Sequence, residues 1–245
     1  MGSPVTASTR ERVTAPCAVL FDMDGTLVET EEYWGEALHD LARRRGGELS
    51  AAARGATVGT SMRTAMGVLY ADLGLPPAES ALEADARWVE DRVAGLMAAG
   101  VRWRPGAREL LAAVRTAGVP TALVTTTNRR LTDLVLASVA RSFGGRLPFD
   151  VTVCGDEVPA RKPDPAPYRQ AAGALGVDVR CCVVVEDSAV GVAAGLASGA
   201  AVLGVPAMQT LDPAPGLVLR ETLAGLGLAE LAAMLAPAGL ACRCG

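Results

Sequence analysis

Ala18-Val19-Leu20-Phe21-Asp22-Met23-Asp24-Gly25-Thr26-Leu27 begins with four apolar residues and runs into two carboxylates two positions apart. A short uncharged run closed by a polar turn is the pattern of a strand buried on both faces of a parallel sheet. Asp22 and Asp24 then stand where the backbone leaves the sheet, the end at which open α/β sheets place their ligands. Two neighbouring acids repel, a divalent cation relieves the repulsion, and an oxygen-only donor set suits magnesium better than zinc. Gly25 permits a sharp turn, although Asp24-Gly25 taken alone is also an ordinary turn signal.

Working outward, further apolar runs are Thr121 to Val124, Val151 to Cys154, Cys181 to Val185 and Ala201 to Val205. They alternate with helical spacing, as in Leu110, Leu111 and Val114, or Leu131, Leu134, Val135 and Val139. This alternation predicts an α/β fold, a doubly wound parallel sheet with helices on both faces. The stretch between the first two strands is far longer than a crossover requires and must hold structure of its own. Leu82, Ala86, Val89, Val93, Leu96 and Met97 form an apolar stripe there, and Leu38 with Leu41 and Met66 with Leu69 suggest further helices. The expected division is a disordered tail over residues 1–15, a core domain of 16–29 and 105–245, and an inserted α-helical domain of 30–104. In the last segment Leu228, Leu231 and Leu235 predict a helix packed on the core, and nothing there suggests a function.

The chain has 245 residues, half of them apolar and a fifth charged, the balance of a globular protein. Its net charge of -4 and the absence of any block of basic residues argue against a nucleic-acid partner. Arg43-Arg44-Arg45, the densest basic run, reads as a solvated helix end. No apolar run is long enough to span a membrane and residues 1–16 lack the apolar centre of a secretory signal, so the expected location is the cytoplasm. There the six cysteines, including adjacent Cys181 and Cys182, are expected to be reduced. Cys242 and Cys244 with the sole histidine, His39, fall short of a zinc site.

Three later features arrive at the same end of later strands. Thr125-Thr126-Thr127-Asn128 offers hydroxyl and backbone donors before a helix starting near Arg129, a terminus suited to phosphate or simply an N-cap. Lys162, within Arg161-Lys162-Pro163-Asp164-Pro165, is the only lysine in the chain. A flexible ammonium fixed beside two prolines can neutralise a nucleophile and a phosphoryl oxygen together. Glu186-Asp187-Ser188 supplies a second acidic pair outside the run Val183 to Val185. A helix-capping aspartate would explain Asp187 but not Glu186.

In this order, Asp22 to Leu27, Thr125, Lys162-Pro163 and Glu186-Asp187 match the four motifs of the haloacid dehalogenase superfamily of phosphatases, which the chain resembles over about residues 17 to 205. The resemblance implies a Rossmann-like core and a helical cap over the active site, and within the family it points to the β-phosphoglucomutase and sugar-phosphate phosphatase subgroup. It implies hydrolysis of a small phosphomonoester, with Asp22 as nucleophile forming an aspartyl-phosphate and Asp24 as general acid and base. It further implies Mg2+ held by Asp22, Asp24 and Asp187, with Glu186 a direct or water-mediated ligand, and phosphoryl contacts from Thr125 and Lys162. Further substrate contacts are expected from Gly25 and Thr126, and from Thr30, Trp34 and Arg63 in the insertion. The partner is then a small phosphorylated molecule, and the cap is compatible with a monomer.

Among alternatives, the family's dehalogenases lack the second acid that Asp24 provides, and its phosphonatases use a cap lysine that residues 30–104 do not contain. A β-phosphoglucomutase-like phosphomutase remains open, since Glu29-Thr30-Glu31-Glu32-Tyr33 resembles the hinge of those enzymes too. Trp34 stands where they carry histidine and favours a phosphatase. A phospho-acceptor signalling domain also uses strand-end aspartates, a threonine and a lysine, but has no use for so long an insertion.

Overall fold

The computed structural model describes residues 15–58 and 60–235. Its centre is a six-stranded parallel sheet in the order β3-β2-β1-β4-β5-β6. The strands are β1 (Ala18–Phe21), β2 (Thr121–Val124), β3 (Val151–Val153), β4 (Cys182–Glu186), β5 (Ala201–Gly204) and β6 (Leu217–Leu219). The chain builds outward from β1 through β2 to β3, then returns to β4 on the other side of β1. The crevice at the carboxyl ends of β1 and β4 is therefore a topological switch point, where such sheets bind ligands.

Between β1 and β2 lie α1 (Glu31–Arg44), α2 (Ala51–Thr57), α3 (Met62–Asp72) and α4 (Glu79–Ala98). Glu31 and Glu32 in the first turn of α1, with Arg43 and Arg44 in its last, complement the helix dipole. Ser50 and Ser61 cap α2 and α3, each side chain accepting a backbone N–H. The two linkers run side by side: Glu29 N–H donates to Arg102 O at 2.9 Å, Arg104 N–H donates to Leu27 O at 2.8 Å, and Arg104 pairs with Glu29 at 3.0 Å. They deliver the inserted helices directly above the β1 carboxyl end.

Alternation along the strands sends Val19, Phe21, Leu123, Val183 and Val185 into one buried cluster and Ala18, Leu20, Val124 and Val184 into another. The first is closed by α5 (Ala107–Thr116), α6 (Arg129–Ser142) and α9 (Leu228–Leu235), the second by α7 (Ala166–Ala174) and α8 (Ala189–Ser198). Both faces of the sheet are covered, the doubly wound arrangement expected from the alternating pattern. Each buried Leu or Phe of the strands contributes about 2 kcal/mol of transfer free energy, which fixes the strand ends firmly.

Some details differ from the sequence reading. β4 runs one residue further, so Glu186 is its last residue, and β6 was not anticipated because its apolar run is only three residues long and half-buried at the sheet edge. Arg43, Arg44 and Arg45 are exposed at the end of α1, as expected of a solvated helix end, but the Arg45 guanidinium also reaches the buried Asp85. Cys154 and Cys182 are free thiols, but Cys17 and Cys181 each take part in a disulfide, against the reduced state expected. Residues 1–14 of the expected tail, Gly59, Cys242 and Cys244 lie outside the described residues. Among those described, no helix is long and apolar enough to cross a membrane.

Candidate functional site

Asp22 follows β1 and is fixed by its own N–H, which donates to Val185 O of β4 at 3.0 Å. Its Oδ1 accepts a hydrogen bond from Lys162 Nζ at 2.7 Å. The same ammonium donates to Val124 O at 2.8 Å and to Glu186 Oε1 at 2.6 Å, so one buried lysine ties together the ends of β1, β2 and β4. Tyr168 of α7, fully buried, donates its hydroxyl to that same Glu186 oxygen at 2.6 Å. The Lys162 ammonium also lies 4.9 Å from the centroid of the Tyr168 ring. Glu186 Oε2 accepts from the backbone N–H of Asp187 and from the Ser188 hydroxyl, both at 3.1 Å.

Asp187 is oriented by Thr26, whose hydroxyl donates to Oδ1 at 3.1 Å. Gly25 makes room for it: with φ at +83°, a Cβ there would stand 2.2 Å from Asp187 Oδ2. Ser188, rather than Asp187, caps α8, which leaves the aspartate available to the crevice. Asp24 turns the other way. Its carboxylate accepts hydrogen bonds from the hydroxyls of Thr30, Thr125 at 3.1 Å and Thr127 at 2.7 Å. Thr125 Oγ1 in turn accepts from Thr127 N–H at 3.0 Å, and Asn128 caps α6.

One oxygen each of Asp22, Glu186 and Asp187 lies within 4.8 Å of the others. Three carboxylates thus share one ammonium, and the imbalance shows in their ionisation. Burial, reinforced by Glu186, pushes the Asp22 carboxyl up to about 7 although Lys162 pulls the other way. Burial with the charges of Asp22 and Glu186 pushes Asp187 up to about 9. For Lys162 burial opposes the charge, but Asp22 and Glu186 outweigh it and hold the ammonium above the ordinary lysine range. Asp22 and Glu186 both accept hydrogen bonds from the one ammonium, and the Asp22 carboxyl still rises. A hard divalent cation would supply the missing charge, and the all-oxygen donors fit Mg2+.

The cluster forms the floor of a cavity of about 350 Å³ roofed by the inserted helices. Asp22, Asp24, Gly25, Thr126, Lys162 and Asp187 line it from the core and Trp34 from α1. Three other residues expected at the substrate stand elsewhere. Thr30 and Thr125 are buried and bonded to Asp24, and Arg63, four-fifths exposed, pairs with Glu79 at 2.5 Å outside the cavity lining. Met62 lines the cavity instead, because adjacent helical positions differ by about 100° around the axis.

Sequence reasoning missed Thr26 and Tyr168, which bond to Asp187 and Glu186, Glu31, Arg54, Thr57 and Glu90 in the roof, and Met208 and Gln209 after β5, a segment read as functionless. Tyr168 had a usable signal, since a tyrosine inside an apolar helix face needs a partner for its hydroxyl. The roof residues had none, because which helix face looks down depends on how the inserted helices pack against one another and on α6.

Comparison with known proteins bears on the same region. A family model described as haloacid dehalogenase-like hydrolase matches residues 18–199. Protein CbbY of Rhodobacter capsulatus is 31% identical over 199 residues, covering 79% of this chain and 86% of that protein. Hexitol phosphatase A of Escherichia coli strain K12 is 33% identical over 191 residues, covering 77% of this chain and 82% of that one. The crystal structure of CbbY from Rhodobacter sphaeroides in complex with phosphate superimposes with a TM-score of 0.74 at 30% identity, over 88% of this chain and 99% of that one.

Proposed function

The chain belongs to the haloacid dehalogenase-like hydrolases, and from that membership we propose that it is a Mg2+-dependent phosphatase of small phosphomonoesters such as sugar phosphates, working through an aspartyl-phosphate on Asp22. The observation that carries the reading is the meeting of Asp22, Glu186 and Asp187 around Lys162 at the floor of a roofed cavity.

Lys162 engages Oδ1 of Asp22, which leaves Oδ2 to attack phosphorus in line with the departing oxygen. Asp24, oriented by the hydroxyls of Thr30, Thr125 and Thr127, hands a proton to the leaving alkoxide. It then takes one from the water that opens the acyl phosphate, and inorganic phosphate leaves. The Lys162 ammonium and the backbone N–H groups of the turn at Thr126 offset charge on the phosphoryl oxygens. Asp22, Glu186 and Asp187 would hold Mg2+, with the Asp24 backbone carbonyl completing its protein contacts, and the cation would offset carboxylate charge and polarise the phosphoryl group. The insertion, residues 30–104, acts as the cap that excludes bulk water while the ester bond breaks.

Phosphate release from p-nitrophenyl phosphate with Mg2+ tests the reading. Asp22→Asn is expected to lower kcat by on the order of a thousandfold or more without loss of fold. Wild-type turnover in that variant would end it.

A further inference from the structure

The roof of the cavity carries charges unlike those of the floor. Arg54 is the one cation that α1 to α4 contribute to its lining among the described residues, and its charge is already met. Its Nη2 donates to Glu31 Oε1 at 2.8 Å and Glu31 O at 3.0 Å, and its Nη1 donates to Thr57 Oγ1 at 3.2 Å. The guanidinium is also seated against Gly35, where a Cβ would stand 2.8 Å from Nε. Glu90 of α4, in contrast, lines the cavity half-buried and accepts no hydrogen bond from any described residue. Burial raises its carboxyl above the ordinary glutamate range, opposed by the more distant charge of Arg130, which is itself paired with Asp91. Trp34, Leu38 and Met62 give the same cavity apolar lining from the inserted helices. The remaining guanidinium at the cavity, Arg161, belongs to the core side, where its Nε donates to Gly155 O at 2.8 Å.

Building on the phosphatase reading above, we propose that this roof selects a leaving group bearing hydroxyls but no second phosphate, with Glu90 as the acceptor of its hydroxyl protons. A carbon chain laid against Trp34 and Leu38 buries its C–H face while its hydroxyls reach the unpartnered carboxylate. A second phosphoryl group placed there meets two carboxylates and a single guanidinium that one of them already neutralises. That repulsion is a device against the wrong substrate. The same lining disfavours a phosphomutase, whose bisphosphate intermediate must rest one phosphoryl on the floor and the other against the roof.

The test is kcat/KM of the full chain with Mg2+ for matched pairs, glucose 6-phosphate against glucose 1,6-bisphosphate and ribulose 5-phosphate against ribulose 1,5-bisphosphate. The monophosphates are expected to be preferred at least about tenfold, and Glu90→Gln to shrink that ratio by about tenfold. Bisphosphates turned over as well as monophosphates by the wild type overturn the inference, as does a ratio that stays within twofold in Glu90→Gln. The wild-type ratio decides alone if the variant does not fold. Hydrolysis of p-nitrophenyl phosphate with no hydrolysis of the sugar monophosphates overturns the inference and leaves the phosphatase reading standing. No release from any of these esters overturns the phosphatase reading itself.

Discussion

Among the described residues there are two buried acidic centres, one at the strand ends and one inside the insertion, and they are built on opposite plans. In the insertion Asp85 of α4 receives two hydrogen bonds from Arg45, at 2.7 and 2.6 Å, and one from the Tyr70 hydroxyl at 2.8 Å. One carboxylate meets one guanidinium and one neutral donor. Burial pushes its carboxyl up, but Arg45 and Tyr70 prevail and hold it below the ordinary aspartate range. At the strand ends Asp22, Glu186 and Asp187 have neutral donors too but only one cation, Lys162, among them, and Asp22 and Asp187 rise. The balanced centre is a fastener. The unbalanced one holds excess charge in a dry place, which a fold retains only where a ligand cancels it.

Removing Lys162 widens the imbalance and should have the largest effect. Lys162→Met leaves buried carboxylates with no counter-charge, and the phosphoryl group without its ammonium. We expect kcat on p-nitrophenyl phosphate to fall by about a hundredfold or more. Thermal stability should fall with it, more at pH 8 than at pH 5, where the acids can take up protons. A variant with wild-type kcat would reduce the lysine to a structural cation.

The unbalanced centre was legible from sequence and the balanced one was not, for a physical reason. Asp22, Thr125, Lys162 and Asp187 each follow a short apolar run or a proline-bound turn, so their position at a strand end is encoded locally. Asp85 lies among Leu82, Ala86 and Val89, and the apolar stripe hid the one polar residue on its buried face. Its partners, Arg45 at the end of α1 and Tyr70 of α3, come from elsewhere in the insertion; Arg45 read as part of a solvated end, and nothing marked Tyr70. Glu90 and Arg54 were invisible for the same reason, and Arg63 was chosen where the helix presents Met62. Local chemistry reports on sites at strand ends; side chains that meet only through helix packing leave no such trace.

Breaking the balanced centre should cost stability and little catalysis. Asp85→Ala strands the Tyr70 hydroxyl, 3% exposed, without its acceptor, while Arg45, partly exposed, can turn to water. The expected loss is about 2 kcal/mol, read as a fall of roughly 4–8 °C in Tm. At a temperature where the variant stays folded, kcat on p-nitrophenyl phosphate should change less than about threefold. A loss of activity as large as that of Lys162→Met would mean the two centres are coupled.

The smallest effect is also the one that opposes the two centres most directly, because they respond to pH with opposite sign. Asp85 has a folded pKa below its unfolded value near 4, so its contribution is present above pH 4 and is lost as pH falls through the folded value. Asp22 and Asp187 have folded values raised to about 7 and about 9. Their contribution is complete below about pH 4 and is lost as pH rises toward those values, since unfolding then releases protons the folded chain retains. A bound divalent cation displaces those protons and cancels the second trend while leaving the first alone. Added Mg2+ should therefore raise Tm little at pH 5 and most near pH 8, where tenfold excess over its Kd gives about 1.4 kcal/mol, or about 3–5 °C. The gain should vanish in Asp187→Asn and persist in Asp85→Ala. A Tm gain independent of pH, or one that survives Asp187→Asn, would place the cation somewhere other than among these three acids.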